Sequence, residues 1–90
     1  MENTITDRAI KLIELSSLDE LARMSATNYS RWVNIKRRTA RVGAEEVETL
    51  AKAFPKYSWW LLRGEVMPEI GQTSPEYDEA HSSLLSQNAG

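Results

Sequence analysis

Six basic residues and no acidic residue lie between Leu21 and Ala44, and this stretch holds the residue types best suited to binding anions. Lysine and arginine bind phosphate oxygens, and the planar arginine fork can also pair with the O6 and N7 acceptors of guanine. Such a run alone is more often a solvated helix face than a nucleic-acid surface, but the pair of capped helices predicted here favours a nucleic-acid partner. The six residues are Arg23, Arg31, Lys36, Arg37, Arg38 and Arg41.

The charge of the chain is divided between two parts. The net charge is −2, which by itself does not indicate a nucleic-acid partner. Residues 1–64, however, contain eleven basic and eight acidic residues, a net charge of +3, whereas residues 65–90 contain five acidic residues and neither Lys nor Arg. A local patch steers an anionic partner more than the total charge does. We therefore predict a basic domain at residues 1–64 and an acidic extension at residues 65–90, a linker followed by a short helix.

The basic stretch has the pattern of an α-helix with two unlike faces. We predict a helix from about Ser25 to Arg37 with Ser25 as its N-cap, because a serine hydroxyl accepts hydrogen bonds from the free amides of a first turn. At about 100° per residue, the face that should pack on the domain comprises Tyr29, Trp32, Val33 and Lys36. The opposite face is polar and basic, and comprises Thr27, Arg31, Asn34 and Arg38.

Other helices are predicted to hold this basic helix in place. Apolar residues recur at helical spacing in each of them, and Gly64 follows the fifth helix as a C-terminal cap. The period-two alternation of a strand is absent. The fold is therefore predicted to be all-α, with the other helices at about Thr6–Leu15, Leu18–Arg23, Ala44–Phe54, Tyr57–Arg63 and Pro75–Ser86.

Several classes of function lack support in the sequence. The chain has no cysteine and a single histidine, His81, so we expect no metal, no disulfide and no cofactor. Glu45, Glu46 and Glu48 suit the first turns of a helix, where the dipole favours acids, and no catalytic residues are predicted. No apolar run approaches the ~20 residues that span a bilayer, and the first residues do not form a signal peptide. We therefore expect a cytoplasmic protein that is not an enzyme and has no membrane or small-molecule partner.

Four short motifs follow one another along the chain: MSATNYSRW at residues 24–32, E-x-x-x-L-A-x-A-F at 46–54, W-L-L-x-G-E at 60–65 and GQTSP at 71–75. Together they resemble the Cro/CI, or lambda-repressor-like, family of phage and bacterial regulators. The last motif resembles the tail of small prophage-type members. The resemblance covers about Leu18–Pro75 and implies a compact five-helix helix-turn-helix domain, here followed by a C-terminal tail helix.

This resemblance implies that the basic helix enters the major groove of DNA with its N-terminal part towards the base edges. The residues implied to contact bases are Ala26, Thr27, Asn28 and Arg31. The residues implied to contact phosphates are Ser25, Asn34, Lys36, Arg37, Arg38 and Arg41. Ile35 could contact a thymine methyl group or pack under residues 39–42. The alignment of the turn stays open, because it can be anchored on Met24-Ser25 or on Leu21-Ala22.

The resemblance also implies a homodimer on a two-fold operator and a role as a transcriptional repressor or, alternatively, an activator. Trp59 and Trp60 are adjacent, so one should face away from the core, either as an exposed indole or as a dimer contact. The predicted dimer interface comprises Trp59, Trp60, Tyr77, Leu84 and Leu85. A different class of function remains open, in which the same fold is a protein-interaction module of the antitoxin or anti-repressor type.

Overall fold

The chain folds into α-helices, which confirms the predicted fold class. The computed structural model describes residues 4–89, with the side chains of residues 4–82. In that range a single isolated bridge pairs extended residues, Met67 with Gln72, and no helix is long and apolar enough to cross a membrane. Two short 3₁₀ turns lie at Pro55–Tyr57 and Pro68–Ile70. The helices are α1 (Ile5–Glu14), α2 (Leu18–Met24), α3 (Tyr29–Lys36), α4 (Ala44–Ala53), α5 (Ser58–Arg63) and α6 (Pro75–Ala89).

The first two helices begin where the sequence predicts, because their caps are local. The Thr4 hydroxyl accepts a hydrogen bond from the Asp7 N–H at 3.2 Å, and the Asp7 carboxylate accepts one from the Thr4 N–H at 3.3 Å. At the start of α2, the Ser17 hydroxyl accepts from the Glu20 N–H at 3.3 Å. These caps bind amides that the first turn of a helix leaves free.

The third helix begins later than predicted, and its N-cap is Asn28 instead of Ser25. The Asn28 side-chain oxygen accepts a hydrogen bond from the Arg31 N–H at 2.8 Å. The Ser25 hydroxyl donates to the Leu21 carbonyl at the end of α2, at 2.7 Å, and accepts from Trp32 Nε1–H at 3.2 Å. The prediction that Ser25 caps α3 is therefore wrong, because its hydroxyl closes α2 and holds the Trp32 indole.

The hydrophobic core lies between α1, α2, α3, α4 and α5. Trp32 and Ile35 are fully buried, whereas Tyr29 is 49% exposed and Lys36 is also exposed. The predicted burial of Trp32 is confirmed, but Ile35 and not Tyr29 or Lys36 shares its side of α3, so the predicted stripe had the wrong rotation. Of the two alternatives for Ile35, the structure shows packing in the core. Among the described residues, the buried apolar side chains are Ala9, Ile10, Leu12, Ile13, Leu21, Trp32, Ile35, Leu50, Tyr57, Trp60 and Leu61.

Gly64 ends α5 in the left-handed conformation, with a φ of 73°, as predicted for a glycine cap. The Arg8 guanidinium of α1 lies against this cap. Its Nε donates to the Leu61 carbonyl at 3.0 Å, and a Cβ on Gly64 would lie 3.0 Å from Arg8 Nη1. Gly64 therefore supplies both the backbone conformation and the space for the contact between the first and fifth helices.

Residues 65–74, predicted to be a linker, form a turn that packs against the start of α5. Met67 and Gln72 exchange two main-chain hydrogen bonds, at 2.7 and 3.0 Å. The Gln72 side chain accepts from the Trp59 N–H at 2.9 Å and donates to the Pro55 carbonyl at 3.1 Å. Gln72 is thus one of the links between the acidic extension and the helical domain. The others are the Thr73 N–H, which donates to the Lys56 carbonyl at 2.8 Å, and Asp78, which pairs with Lys56 and accepts from Tyr57.

Candidate nucleic-acid interface

The exposed side of α3 lies opposite the buried pair Trp32 and Ile35. Residues 30, 34 and 37 are exposed there, and residue 33 is half-buried. We call this set the outer face: Ser30, Val33, Asn34 and Arg37. Its hydroxyl, amide, guanidinium and methyl groups are of the kinds that contact base edges in a major groove. Ser30 has no predicted role, and Val33 is predicted on the packed face. A core stripe that includes Lys36 and leaves out Ile35 is the sequence signal of the wrong rotation.

Three of the four residues predicted to contact bases, Ala26, Asn28 and Arg31, are exposed, and the fourth, Thr27, is buried. Asn28 uses its side-chain oxygen to cap α3. Thr27 is only 7% exposed, and its hydroxyl donates to Glu46 Oε2 at 2.5 Å. The prediction that Thr27 lies on the outer side of the helix is therefore wrong, because the turn before α3 directs this side chain towards α4.

Arg31, predicted to pair with guanine, is held by hydrogen bonds within the protein. Its Nε donates to Glu46 Oε2 at 3.3 Å and its Nη2 to Glu46 Oε1 at 3.4 Å. Nη2 also donates to the Arg41 carbonyl at 2.8 Å. The arginine fork thus connects α3, α4 and the loop between them, and in this arrangement it is not free for the predicted base contact.

Glu46 is the centre of this network. It is 3% exposed and also accepts a hydrogen bond from the Gly43 N–H at 2.7 Å. Burial raises the pKa of the Glu46 carboxyl, but hydrogen bonds from Thr27, Arg31 and Gly43 outweigh burial and hold that pKa below its ordinary value. Glu46 is therefore charged at neutral pH. We call these four residues, Glu46, Thr27, Arg31 and Gly43, the Glu46 clamp.

One cation of the outer face, Arg37, and two cations beside it, Lys36 and Arg41, are available to a partner. All three are exposed, and their side chains form no ion pair with any residue in the range 4–82. Asn34, also predicted to contact a phosphate, is exposed. Ser25 is half-buried and uses its hydroxyl inside the protein, so that hydroxyl is not free for the predicted phosphate contact.

Arg38 follows α3 in a left-handed conformation with a φ of 66°. The Asn34 carbonyl accepts from the Thr39 N–H at 2.9 Å, which closes the helix. A residue other than glycine costs about 1–2 kcal/mol in this conformation. The Arg38 side chain, 56% exposed, pairs with Asp7 of α1 at 2.9 Å, and hydrogen bonds from the Thr4 main chain and from Arg38 lower the pKa of Asp7. Arg38 therefore ties the loop after α3 to the first turn of α1.

The residues predicted at the dimer interface lie in different environments. Trp60 is 5% exposed and belongs to the core, so the prediction that it contacts a partner is wrong. Trp59 is half-buried, with the Arg63 guanidinium 5.1 Å from its ring centre. Tyr77 is half-buried and stacks on His81, with 6.0 Å between ring centres. Leu84 and Leu85 lie outside the residues whose side chains are described.

Comparison with known proteins relates the chain to a solved phage protein. No family model matches the chain, and no curated protein does so. The structure of Pf6r, from the filamentous phage Pf6 of Pseudomonas aeruginosa PA01, is similar with a TM-score of 0.88 and 41% sequence identity. The similarity covers 92% of this chain and 99% of Pf6r. With that identity over almost the whole of both chains, this protein belongs to the same family as Pf6r.

Proposed function

We propose that this protein binds duplex DNA sequence-specifically and represses phage or prophage transcription. The observation that carries the proposal is the outer face of α3, a polar stripe beside the unpaired cations Lys36 and Arg41. An α-helix fits the major groove, and cations at its edges neutralise phosphates. We expect the protein to act in the bacterial cytoplasm, without a cofactor and without catalysing a reaction.

In this proposal the outer face contacts the base edges. Asn34 suits adenine and Arg37 suits guanine, because each can form two hydrogen bonds to that base. Val33 can contact a thymine methyl group. Ala26 and Asn28, at the N-terminal end of α3, keep the base-contact role that their family positions imply. The phosphate contacts are assigned to Lys36, Arg38 and Arg41.

The finer family assignment is part of this proposal. α2 and α3 contact each other and are joined by residues 25–28, an arrangement that suits a helix-turn-helix. The relationship to a filamentous-phage protein supports a regulator of the phage or prophage type. Dimeric proteins with this motif place two recognition helices about 34 Å apart, one turn of DNA. We therefore propose a homodimer on a two-fold site.

The second candidate function is a protein-interaction module of the antitoxin or anti-repressor type. The acidic side chains of α6 favour it, because Glu76 and Glu79 are exposed and could bind a basic partner. In that case the extension, and not α3, would form the binding surface.

A salt titration of duplex binding distinguishes these functions. Fluorescence anisotropy would measure affinity for random duplex between about 50 and 200 mM salt. A DNA-binding protein should lose affinity steeply, with a log–log slope of about −0.9 per phosphate neutralised. A slope near zero would contradict the DNA-binding proposal and favour the interaction module.

Two variants with the same change of charge test the role of the outer face. Arg37→Gln should cost roughly 1–3 kcal/mol of discrimination between a selected and a random duplex. Arg63→Gln removes an exposed cation from α5 and should leave discrimination unchanged. Equal losses of discrimination in the two variants would contradict the assignment of base contacts to α3.

A further inference from the structure

We propose that Glu46 is a positioning residue for DNA recognition, holding α3 in the orientation in which the outer face fits the groove. The inference rests on the proposed function and adds a residue that does not itself contact DNA. Glu46 is the third residue of α4 and is 3% exposed. Any effect of this residue on DNA binding must therefore pass through its partners.

The Glu46 carboxylate joins three separate segments of the chain. Oε2 accepts from Thr27 in the turn before α3 and from Arg31 on α3, while Oε1 accepts from the Gly43 N–H before α4. Arg31 also donates to the Arg41 carbonyl. One carboxylate thus fixes the start of α3 and the loop that carries two of the proposed phosphate contacts.

A buried charge is a poor way to gain stability at this place. Removing a carboxylate from water is unfavourable, and apolar residues of similar volume often stabilise a protein as much as a buried ion pair does. The carboxylate instead fixes the orientation of the groups around it, because each of its oxygens holds a hydrogen-bond donor at a defined position. A recognition helix requires a fixed orientation, since paired hydrogen bonds to a base form only in a narrow range of helix orientations.

Gly43 supports the same role for Glu46. Its φ of −103° is open to any residue, so the backbone does not require glycine there. The present position of the carboxylate favours glycine, because a Cβ at residue 43 would lie 2.9 Å from Glu46 Oε1 and the carboxylate would have to shift. Serine or aspartate would be the better N-cap for α4. The chain thus leaves room for the Glu46 carboxylate at the expense of a stronger cap.

The test compares Thr27→Val, which removes the hydroxyl donor at nearly constant volume, with Thr27→Ser, which keeps it. Discrimination is the ratio of affinities for a selected duplex and a random duplex. Thr27→Val should lower this ratio about tenfold, the change expected for one lost hydrogen bond to a charged group, and Thr27→Ser should retain it. A Thr27→Val variant that discriminates as the parent does would overturn the proposal.

A second variant serves if Thr27→Val does not fold, which circular dichroism would show. Gly43→Ala keeps every hydrogen-bonding group but displaces Glu46 Oε1, and it should lower the same ratio. In the free protein, the NMR resonances of Arg31 Nε–H and of the residue 43 amide should shift in that variant. A merely structural role predicts weaker binding to both duplexes with an unchanged ratio, and that result would overturn the proposal.

Failure of this inference can be told apart from failure of the proposed function. A parent protein that binds all duplexes equally would overturn the proposed function and, with it, the role of Glu46. A discriminating parent whose two variants show shifted resonances and unchanged discrimination would overturn the role of Glu46 alone.

Discussion

Two acidic residues, Glu46 and Asp78, join neighbouring segments by the same chemistry but at different depths. Each lies in the first turns of a helix, accepts a hydrogen bond from a hydroxyl group and pairs with a basic side chain. The Glu46 side chain is 4% exposed, and that of Asp78 is 29% exposed. The hydroxyl and the basic group are those of Thr27 and Arg31 for Glu46, and of Tyr57 and Lys56 for Asp78.

The two contacts differ in burial and in role: the Glu46 contact orients the outer face of α3, whereas the Asp78 contact attaches α6 to the helical domain. Glu46 acts where water is excluded, so its hydrogen bonds are strong and an unpaired group there would be costly. The Lys56 Nζ–Asp78 Oδ2 contact is as short as 2.8 Å, but solvent reaches it and weakens it. A short distance is therefore a poor guide to the contribution of an ion pair when burial differs.

Replacing Glu46 should give the largest effect. Glu46→Ala leaves the Thr27 hydroxyl and the Gly43 N–H without their acceptor in a buried site, so we expect the free energy of unfolding to fall by about 2 kcal/mol. Arg31 limits the loss, because its partly exposed guanidinium can be hydrated. Urea denaturation measures the change, with Glu48→Ala on the exposed side of α4 as the control. Equal losses for the two variants would contradict the importance of burial.

Replacing Asp78 should have a smaller effect that depends on salt. Asp78→Ala removes one hydrogen bond and one partly exposed ion pair, so we expect a loss of less than about 1 kcal/mol. In about 1 M NaCl this loss should shrink, because the salt already screens the pair with Lys56. The loss for Glu46→Ala should stay nearly constant. Urea denaturation at low salt and in about 1 M NaCl would measure both losses. If the two losses change with salt in the same way, burial does not distinguish the Glu46 contact from the Asp78 contact.

Parts of the fold could be predicted from sequence where the signals are local. Thr4 and Ser17 cap their helices through residues three positions away, and Gly64 takes a conformation that favours glycine. At α3 the local signals conflict, because Ser25 and Asn28 are both good N-caps. The choice between them depends on the contact of Ser25 with Trp32, which exists only in the folded chain.

The sequence predicts which basic residues lie around α3, but it does not predict how α3 is rotated on the domain. The cations around α3 are visible in the sequence. Three of them, Lys36, Arg37 and Arg41, are exposed and form no ion pair with residues 4–82, as suits a phosphate contact. The rotation of the helix is set by packing in the core and was missed. Glu46 contacts Thr27, which lies nineteen residues earlier in the chain. The sequence gives no sign of this tertiary contact, because an acidic residue near the start of a helix is already explained by the helix dipole.

Acid should weaken both contacts, and Glu46→Gln would isolate one of them. The folded-state pKa values of Glu46 and Asp78 lie below the ordinary values of 4.5 and 3.8. Each carboxylate therefore contributes stability above its ordinary value and loses it as pH falls through the lowered pKa. Because residue 46 cannot titrate in Glu46→Gln, its free energy of unfolding should fall less steeply than that of the parent below pH 4.5. Parallel pH profiles in urea denaturation would contradict a charged Glu46 in the folded protein.

Alkali should give the smallest effect, and of the two contacts compared it should act on the one between α6 and the 3₁₀ turn before α5. Burial and the Asp78 carboxylate raise the pKa of Tyr57 above 10.0, and the hydrogen bond to Asp78 raises that of Lys56 above 10.5. The protonated groups therefore contribute stability below these ordinary values and lose it as pH rises through the raised ones. Tyr57→Phe should remove part of the decrease in unfolding free energy above pH 10.0, whereas Glu46→Gln should leave it unchanged. If Tyr57→Phe follows the parent, the attachment of the extension does not depend on the Tyr57 proton, and Gln72 becomes its principal link to the domain.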